Sequence, residues 1–207
     1  MKKYIAEGVG TAALTLIACG IAVNTSLDLS VAVAFGLVLT GMIYLIGDVS
    51  GCHINPAVSF GLFLAGKMKL NELWKYIVAQ FAGALGGSLI LALFMKGFDR
   101  LGANNFAWEN WYIAILVEVL LTFIFVAVIL KVTEKDDKFN GVIIGLTLAL
   151  VHLFGVYFTG TSVNPARSFA PALLQGWDYI QKVWVFLLAP MGGAALAALF
   201  YKYVLKK

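Results

Sequence analysis

The chain has 207 residues, of which 61% are hydrophobic and only 13% charged, with a mean hydropathy of +0.91. A soluble domain of this size cannot hide so much apolar surface, so the lipid bilayer is the expected solvent. The net charge of +4 is compatible with nucleic-acid binding, but the lysines flank the apolar runs, so no nucleic-acid partner is expected.

A helix needs roughly 20 apolar residues to cross the hydrocarbon. In chain order, full spans are predicted near 4–24, 30–47, 71–95, 109–131, 138–158 and 179–203, which leaves no room for a soluble domain. The first run, Met1-Lys2-Lys3 through Leu16-Ile17-Ala18-Cys19, has the outline of a lipoprotein signal. Glu7 interrupts it and has a counterpart in Glu118, so it is read as a span that stays. If the N-terminus is cytoplasmic, Lys2, Lys3, Lys67, Lys69, Lys75, Lys131, Lys135, Lys138, Lys202, Lys206 and Lys207 face the cytoplasm. Only Lys96, Arg100 and Lys182 then lie outside, and Arg167 falls within the membrane. This bias predicts a multi-pass protein of the cell membrane with both termini inside. All five tryptophans fall near span starts, where interfacial anchors belong. Cys19 and Cys52 are expected to remain unpaired.

Between the spans stand two short apolar segments, each opened by Asn-Pro-Ala: Asn55-Pro56-Ala57 and Asn164-Pro165-Ala166. Gly51–Phe60 aligns with Gly160–Phe169, and the two asparagines are 109 positions apart. The same offset carries Gly36-Leu37 onto Gly145-Leu146. Glu7/Thr11 and Glu118/Thr122 are related by a nearly equal offset of 111. The chain therefore reads as one channel domain over 1–207, made of two halves of about 1–105 and 106–207. Each half has three full spans and a half-span, and the odd number of crossings inserts the second half upside down. Paired Pro-interrupted segments in such inverted repeats point to a site at the midplane.

Asn-Pro-Ala suits the tip of a half-helix that ends inside a membrane. Four backbone N–H groups would be orphaned there, at a cost of several kcal/mol each. The Asn side-chain oxygen caps the first turn, Pro needs no N–H at the first helical position, and Ala lets two tips meet. The caps are expected to leave both side-chain NH2 groups of Asn55 and Asn164 free to donate at the midplane. Both helices would also aim their positive dipole ends there. Arg167, two residues past the second Pro, is too costly to face lipid and is expected beside a water-filled path. Glu7 and Glu118 are expected to accept from the irregular backbone leading into the half-helices. No metal-ligand cluster or nucleophile–base motif is present, so neither a metal, a cofactor nor an enzymatic activity is expected.

On these motifs, from Ala6-Glu7 through Ser50-Gly51-Cys52-His53-Ile54-Asn55-Pro56-Ala57 to Asn164-Pro165-Ala166-Arg167-Ser168, the whole chain resembles the aquaporin, or major intrinsic protein, family. The resemblance implies an all-α membrane fold of six transmembrane helices plus two re-entrant half-helices, one pore per subunit and a homotetramer. It also implies a selectivity ring of Phe35, His152, Thr161 and Arg167, in which Arg167 and His152 would donate. Phe, His and Arg at those positions are similar to the water-conducting branch, with water as the permeant. Glycerol-conducting relatives tend to carry Gly in place of His152 and Asp in place of Ser168. One departure is Leu187 before Pro190, where water-selective members usually have an aromatic residue. A facilitator of glycerol or another small neutral solute is the alternative, and a proton-coupled transporter using Glu7, Glu118 and His152 is a further one.

Overall fold

The computed structural model describes residues 1–206, and among them there is no strand. Six helices are long and apolar enough to cross a membrane: α1 (Lys2–Asn24), α2 (Asp28–Ser50), α4 (Leu70–Met95), α5 (Trp108–Val132), α6 (Asn140–Thr159) and α8 (Trp177–Leu205). Their bounds lie within a few residues of the predicted spans. Two short helices, α3 (Pro56–Leu64) and α7 (Pro165–Gln175), complete the set. At a rise of 1.5 Å per residue they are about 13 and 16 Å long, half of a hydrocarbon core of about 30 Å. Six crossings return the chain to its starting side, so both ends lie on one, lysine-rich face.

The loops into the half-helices begin at glycine stops. Helix α2 ends at Gly51 (φ +82°) and α6 at Gly160 (φ +72°), both left-handed C-caps that turn the chain back into the membrane. Each half-helix then starts at mid-depth and runs back towards the side from which its loop came. The two N-termini therefore meet, and the fold is the expected inverted repeat.

Close helix contact comes from small residues, which let backbones approach where lipid gives no hydrophobic drive between helices. A Cβ on Gly83 of α4 would overlap the Gly8 carbonyl of α1, and one on Gly193 of α8 would overlap the Val119 carbonyl of α5. These are equivalent contacts in the two halves. Helices α2 and α6 cross at Gly36 and Gly145, where a Cβ on either glycine would stand 2.6 Å from the carbonyl oxygen of the other. Lys67 Nζ donates to the Leu130 carbonyl at 2.9 Å and tethers the end of α3 to the end of α5 on the lysine-rich face.

Gly145→Val is therefore expected to force α2 and α6 apart and to lower the thermal unfolding midpoint and the folded yield in detergent. Gly41→Ala on the same α2 is expected to be close to neutral, because an added Cβ there meets nothing within 4 Å.

Candidate pore at the meeting of the half-helices

Two carboxylates anchor the loops that lead into α3 and α7. Glu7 and Glu118 are both fully buried. Glu7 Oε1 accepts from Ser50 Oγ at 2.7 Å and from the His53 N–H at 2.9 Å. Its Oε2 accepts from the Ile54 N–H at 2.7 Å and from Gln80 Nε2 at 2.8 Å. Glu118 repeats the pattern: Oε1 accepts from Thr159 Oγ1 at 2.7 Å and the Ser162 N–H at 2.8 Å, and Oε2 from the Val163 N–H at 2.8 Å. Every partner is a donor, as an ionised, acceptor-only carboxylate requires. These bonds hold a strained backbone. Cys52, Ile54, Thr161 and Val163 have φ between 39° and 48°, and three of the four are β-branched. Left-handed geometry at such residues costs about 1–3 kcal/mol each.

At the tips, each asparagine caps its own helix. Asn55 Oδ1 accepts from the Ala57 N–H at 2.8 Å, and Asn164 Oδ1 from the Ala166 and Arg167 N–H groups at 3.1 and 3.3 Å. The side-chain NH2 groups are not left wholly free, as the sequence suggested. Asn55 Nδ2 donates to the Val163 carbonyl at 2.7 Å, and Asn164 Nδ2 donates to the Ile54 carbonyl at 2.9 Å. Each asparagine thus spends one N–H on the opposite loop and keeps one. This crossed pair ties the two half-helices together, and no single-strand reading of the motif reveals it.

Three cavities run in series through the protein. On the far side from the lysine-rich face, one is lined by Thr25, Asp28, Gly102, Asn104, Gly160 and Arg167. At its inner end lies a neck of about 10 Å³, room for about one water. Phe35, His152 and Arg167 line the neck together with Asn55 and Asn164. Leu39, His53 and Phe125 are shared between the neck and the third, wider cavity, which opens near Thr133 and Asn140 on the lysine-rich face. That cavity has largely apolar walls, including Ile43, Val58, Leu62, Ile129 and Ile144.

Three of the four expected ring residues come together in the neck. The Phe35 and His152 rings stack with centroids 4.2 Å apart and planes 20° apart. The Arg167 guanidinium carbon lies 5.0 Å from the Phe35 centroid, within cation–π range. Arg167 is 2% exposed, donates from Nη1 to the Gly102 carbonyl at 2.7 Å, and keeps Nε without a partner. Thr161 is also buried, but its side chain packs into the notch at Gly155, one turn along α6 from His152, and does not line the neck.

His152 departs from its expected role as a donor. Its Nδ1 lies 2.9 Å from the Leu148 carbonyl, which can only accept, so the proton sits on Nδ1. In the neutral ring Nε2 is then an acceptor, and it has no protein partner. The neck therefore pairs one acceptor, His152 Nε2, with one fixed cation. The carbonyls of Cys52, His53, Thr161 and Ser162 likewise accept nothing among the described residues, and they follow the half-helix loops on either side of the asparagines. Among the described residues there is also no cluster of His, Cys, Asp and Glu that would hold a metal ion.

This architecture matches a known family. The profile of the Major intrinsic protein family matches residues 1–201, and the chain belongs to that family, whose members are membrane channels and not enzymes. Aquaporin Z of Bradyrhizobium diazoefficiens is 36% identical, the alignment covering 99% of this chain and 93% of the relative. Aquaporin Z of Rhodopseudomonas palustris is 37% identical over 97% of this chain and 92% of its own length. A glycerol uptake facilitator protein-like 6 of Lactiplantibacillus plantarum is also 37% identical, over 96% and 95%. Among solved structures, the aquaglyceroporin from Plasmodium falciparum superposes with a TM-score of 0.89 at 25% identity, covering 99% of this chain and 96% of that one.

Glu118→Gln replaces one acceptor oxygen by a donor facing donors. We expect at least one buried N–H or O–H to lose its partner, at a cost of about 1–3 kcal/mol. A lower unfolding midpoint than wild type in the same detergent is the expected readout.

Proposed function

We propose that this channel conducts water in single file down osmotic gradients while excluding protons and ions. The observation that carries the reading is a one-water neck in which two half-helix tips and one fixed cation surround the path. A water at the midplane accepts from the remaining N–H of Asn55 and of Asn164. Its own hydrogens must then point away along the path, which interrupts the continuous donor–acceptor order a proton wire needs. On either side, the unpaired loop carbonyls accept from waters in passage and replace part of the hydration lost on entry, the general logic of filters. The two helix N-termini contribute about half an elementary charge each. Together with Arg167 they make the centre repulsive to hydronium and metal cations. At the neck, Phe35 and His152 set the width, while Arg167 donates and His152 Nε2 accepts.

The Glu7 and Glu118 geometry supports a structural role over proton relay. Neither carboxylate lines any of the three cavities, and both oxygens of each are engaged by donors, with four bonds at Glu7 and three at Glu118. A facilitator of glycerol or another small neutral solute is the second reading, favoured by Leu187 and by the similarity to a glycerol uptake facilitator-like protein. Against it, Leu187 is only half-buried and is absent from the neck lining, and its neighbour Phe186 packs against Phe106 away from the path. The same reading places the channel in the cell membrane with its lysine-rich face and both termini in the cytoplasm. The family resemblance adds a homotetramer with one pore per subunit.

Stopped-flow light scattering on proteoliposomes tests the proposal. We expect fast osmotic shrinkage with no matching proton leak and little glycerol entry. A proton flux as fast as that of water would defeat it. Arg167→Val combined with His152→Gly removes the cation and half of the stacked pair, and is expected to raise glycerol flux severalfold.

A further inference from the structure

The neck cation is not held by a carboxylate. Its one protein hydrogen bond is to the Gly102 carbonyl, in the loop between α4 and α5. A loop carbonyl positions a guanidinium only if its own direction is fixed. The residue that fixes it is Gln175, the last residue of α7, eight positions after Arg167 on the same helix. Gln175 Oε1 accepts from the Leu101 N–H at 3.1 Å and from the Ala103 N–H at 2.8 Å. Its Nε2 donates to the Asp99 carbonyl at 2.9 Å.

The bond to Ala103 is the decisive one. The Gly102 C=O and the Ala103 N–H belong to one peptide unit, which is planar and trans, so the two groups point in opposite directions. Gln175 grips the N–H end of that plane and Arg167 is held by the C=O end. Accepting at one end and donating at the other also polarise the unit in the same sense, which strengthens both bonds. The loop has a separate attachment beyond this point. Asn104 Nδ2 donates to the Thr159 carbonyl at 3.0 Å, and Asn104 Oδ1 accepts from Ser168 Oγ at 2.7 Å. Within the stretch itself, the fully buried Leu101 side chain and the bond from Arg100 to the Val23 carbonyl are further attachments, so loss of Gln175 frees the Gly102–Ala103 peptide to turn without detaching the loop.

We propose that Gln175 is a positioning residue for Arg167, acting through the Gly102–Ala103 peptide to keep the guanidinium in the neck. This deepens the functional reading above and rests on it for its consequence in flux. Without Gln175 the peptide turns, the guanidinium loses its tether, and it moves into the far-side cavity that Arg167 already lines together with Asp28. The neck is then wider and less positive.

The chain supplies its own probe, because Arg100 and Arg167 are its only arginines. Arg100 is exposed and Arg167 buried, so phenylglyoxal modification of the intact purified protein, read by peptide mass spectrometry, carries an internal reference. In wild type we expect Arg167 to react at least tenfold more slowly than Arg100. In Gln175→Leu the two rates should approach one another with the unfolding midpoint little changed. Gln175→Glu keeps the oxygen that accepts from Leu101 and Ala103, and should restore most of the protection. Gln175→Ala serves the same purpose as the leucine variant if that one does not fold. Continued protection of Arg167 in folded Gln175→Leu and Gln175→Ala overturns the proposal, whatever the protein conducts. In proteoliposomes the glycerol-to-water permeability ratio should rise in Gln175→Leu but not rise further when the change is made in Arg167→Val. A wild type that conducts no water would sink the water-channel reading, while the arginine reactivities would still decide the role of Gln175. An equal loss of water and glycerol flux in both backgrounds would reduce Gln175 to a stability residue and overturn the inference.

Discussion

The structure depends on how two helix N-termini are made tolerable at the centre of a membrane. A helix that begins at mid-depth exposes backbone donors that lipid cannot satisfy, and the loop leading to it exposes more. The protein answers with one buried carboxylate per half. Glu7 and Glu118 collect the N–H groups of His53 and Ile54, and of Ser162 and Val163, at 2.7–2.9 Å. Burying a carboxylate is itself costly unless its oxygens are fully bonded. Each therefore also takes a hydroxyl, from Ser50 or Thr159. What the arrangement secures is direction. Because these N–H groups turn towards the carboxylates, the intervening carbonyls are free to face the path, and the left-handed strain at Ile54 and Val163 is the cost of that alternation.

Much of this was legible in the sequence because its components are local. An Asn before a Pro caps a helix whatever surrounds it. Two such caps at equivalent points of a repeat, with a glutamate near the start of each half, predict the anchors and the meeting point. What was not legible needed two distant segments at once. The second role of each asparagine, bonding Val163 or Ile54 across the midplane, depends on how closely the tips approach. The acceptor role of His152 depends on the Leu148 carbonyl one turn back claiming Nδ1. Thr161 was expected to line the ring beside His152, yet the notch at Gly155 takes its side chain instead. Gln175 carries no signal by itself, since a glutamine at a helix end is ordinarily a solvated residue.

The two halves agree in backbone and differ in side chains, and the difference gives the path its polarity. In the first half, His53 Nδ1 meets Ser59 Oγ at 3.0 Å, and Gln80 of α4 bonds both Ser59 and Glu7. In the second, Ser162 meets Ser168, and Ser168 turns to Asn104 on a loop. The repeat aligns Val58 with Arg167. Val58 lines the wide apolar cavity, while Arg167 finds a carbonyl on the loop that joins the two halves. The positive charge and the constriction therefore fall on the same side of the midplane.

The width of that constriction is tied to the helix packing. Phe35 on α2 and His152 on α6 form the stacked pair, and Phe35 is adjacent to Gly36, the residue through which α2 meets Gly145 of α6. Glycine at both points leaves no side chain to adjust, so the separation of the two helices is set by backbone against backbone. His152 is fixed in turn by the Leu148 carbonyl of its own helix. A ring stacked at 4.2 Å on a partner so placed has little freedom to yield to a larger solute. In the function proposed above, size discrimination at the neck would thus rest on a close helix contact, two turns from His152 along α6, that touches no permeant.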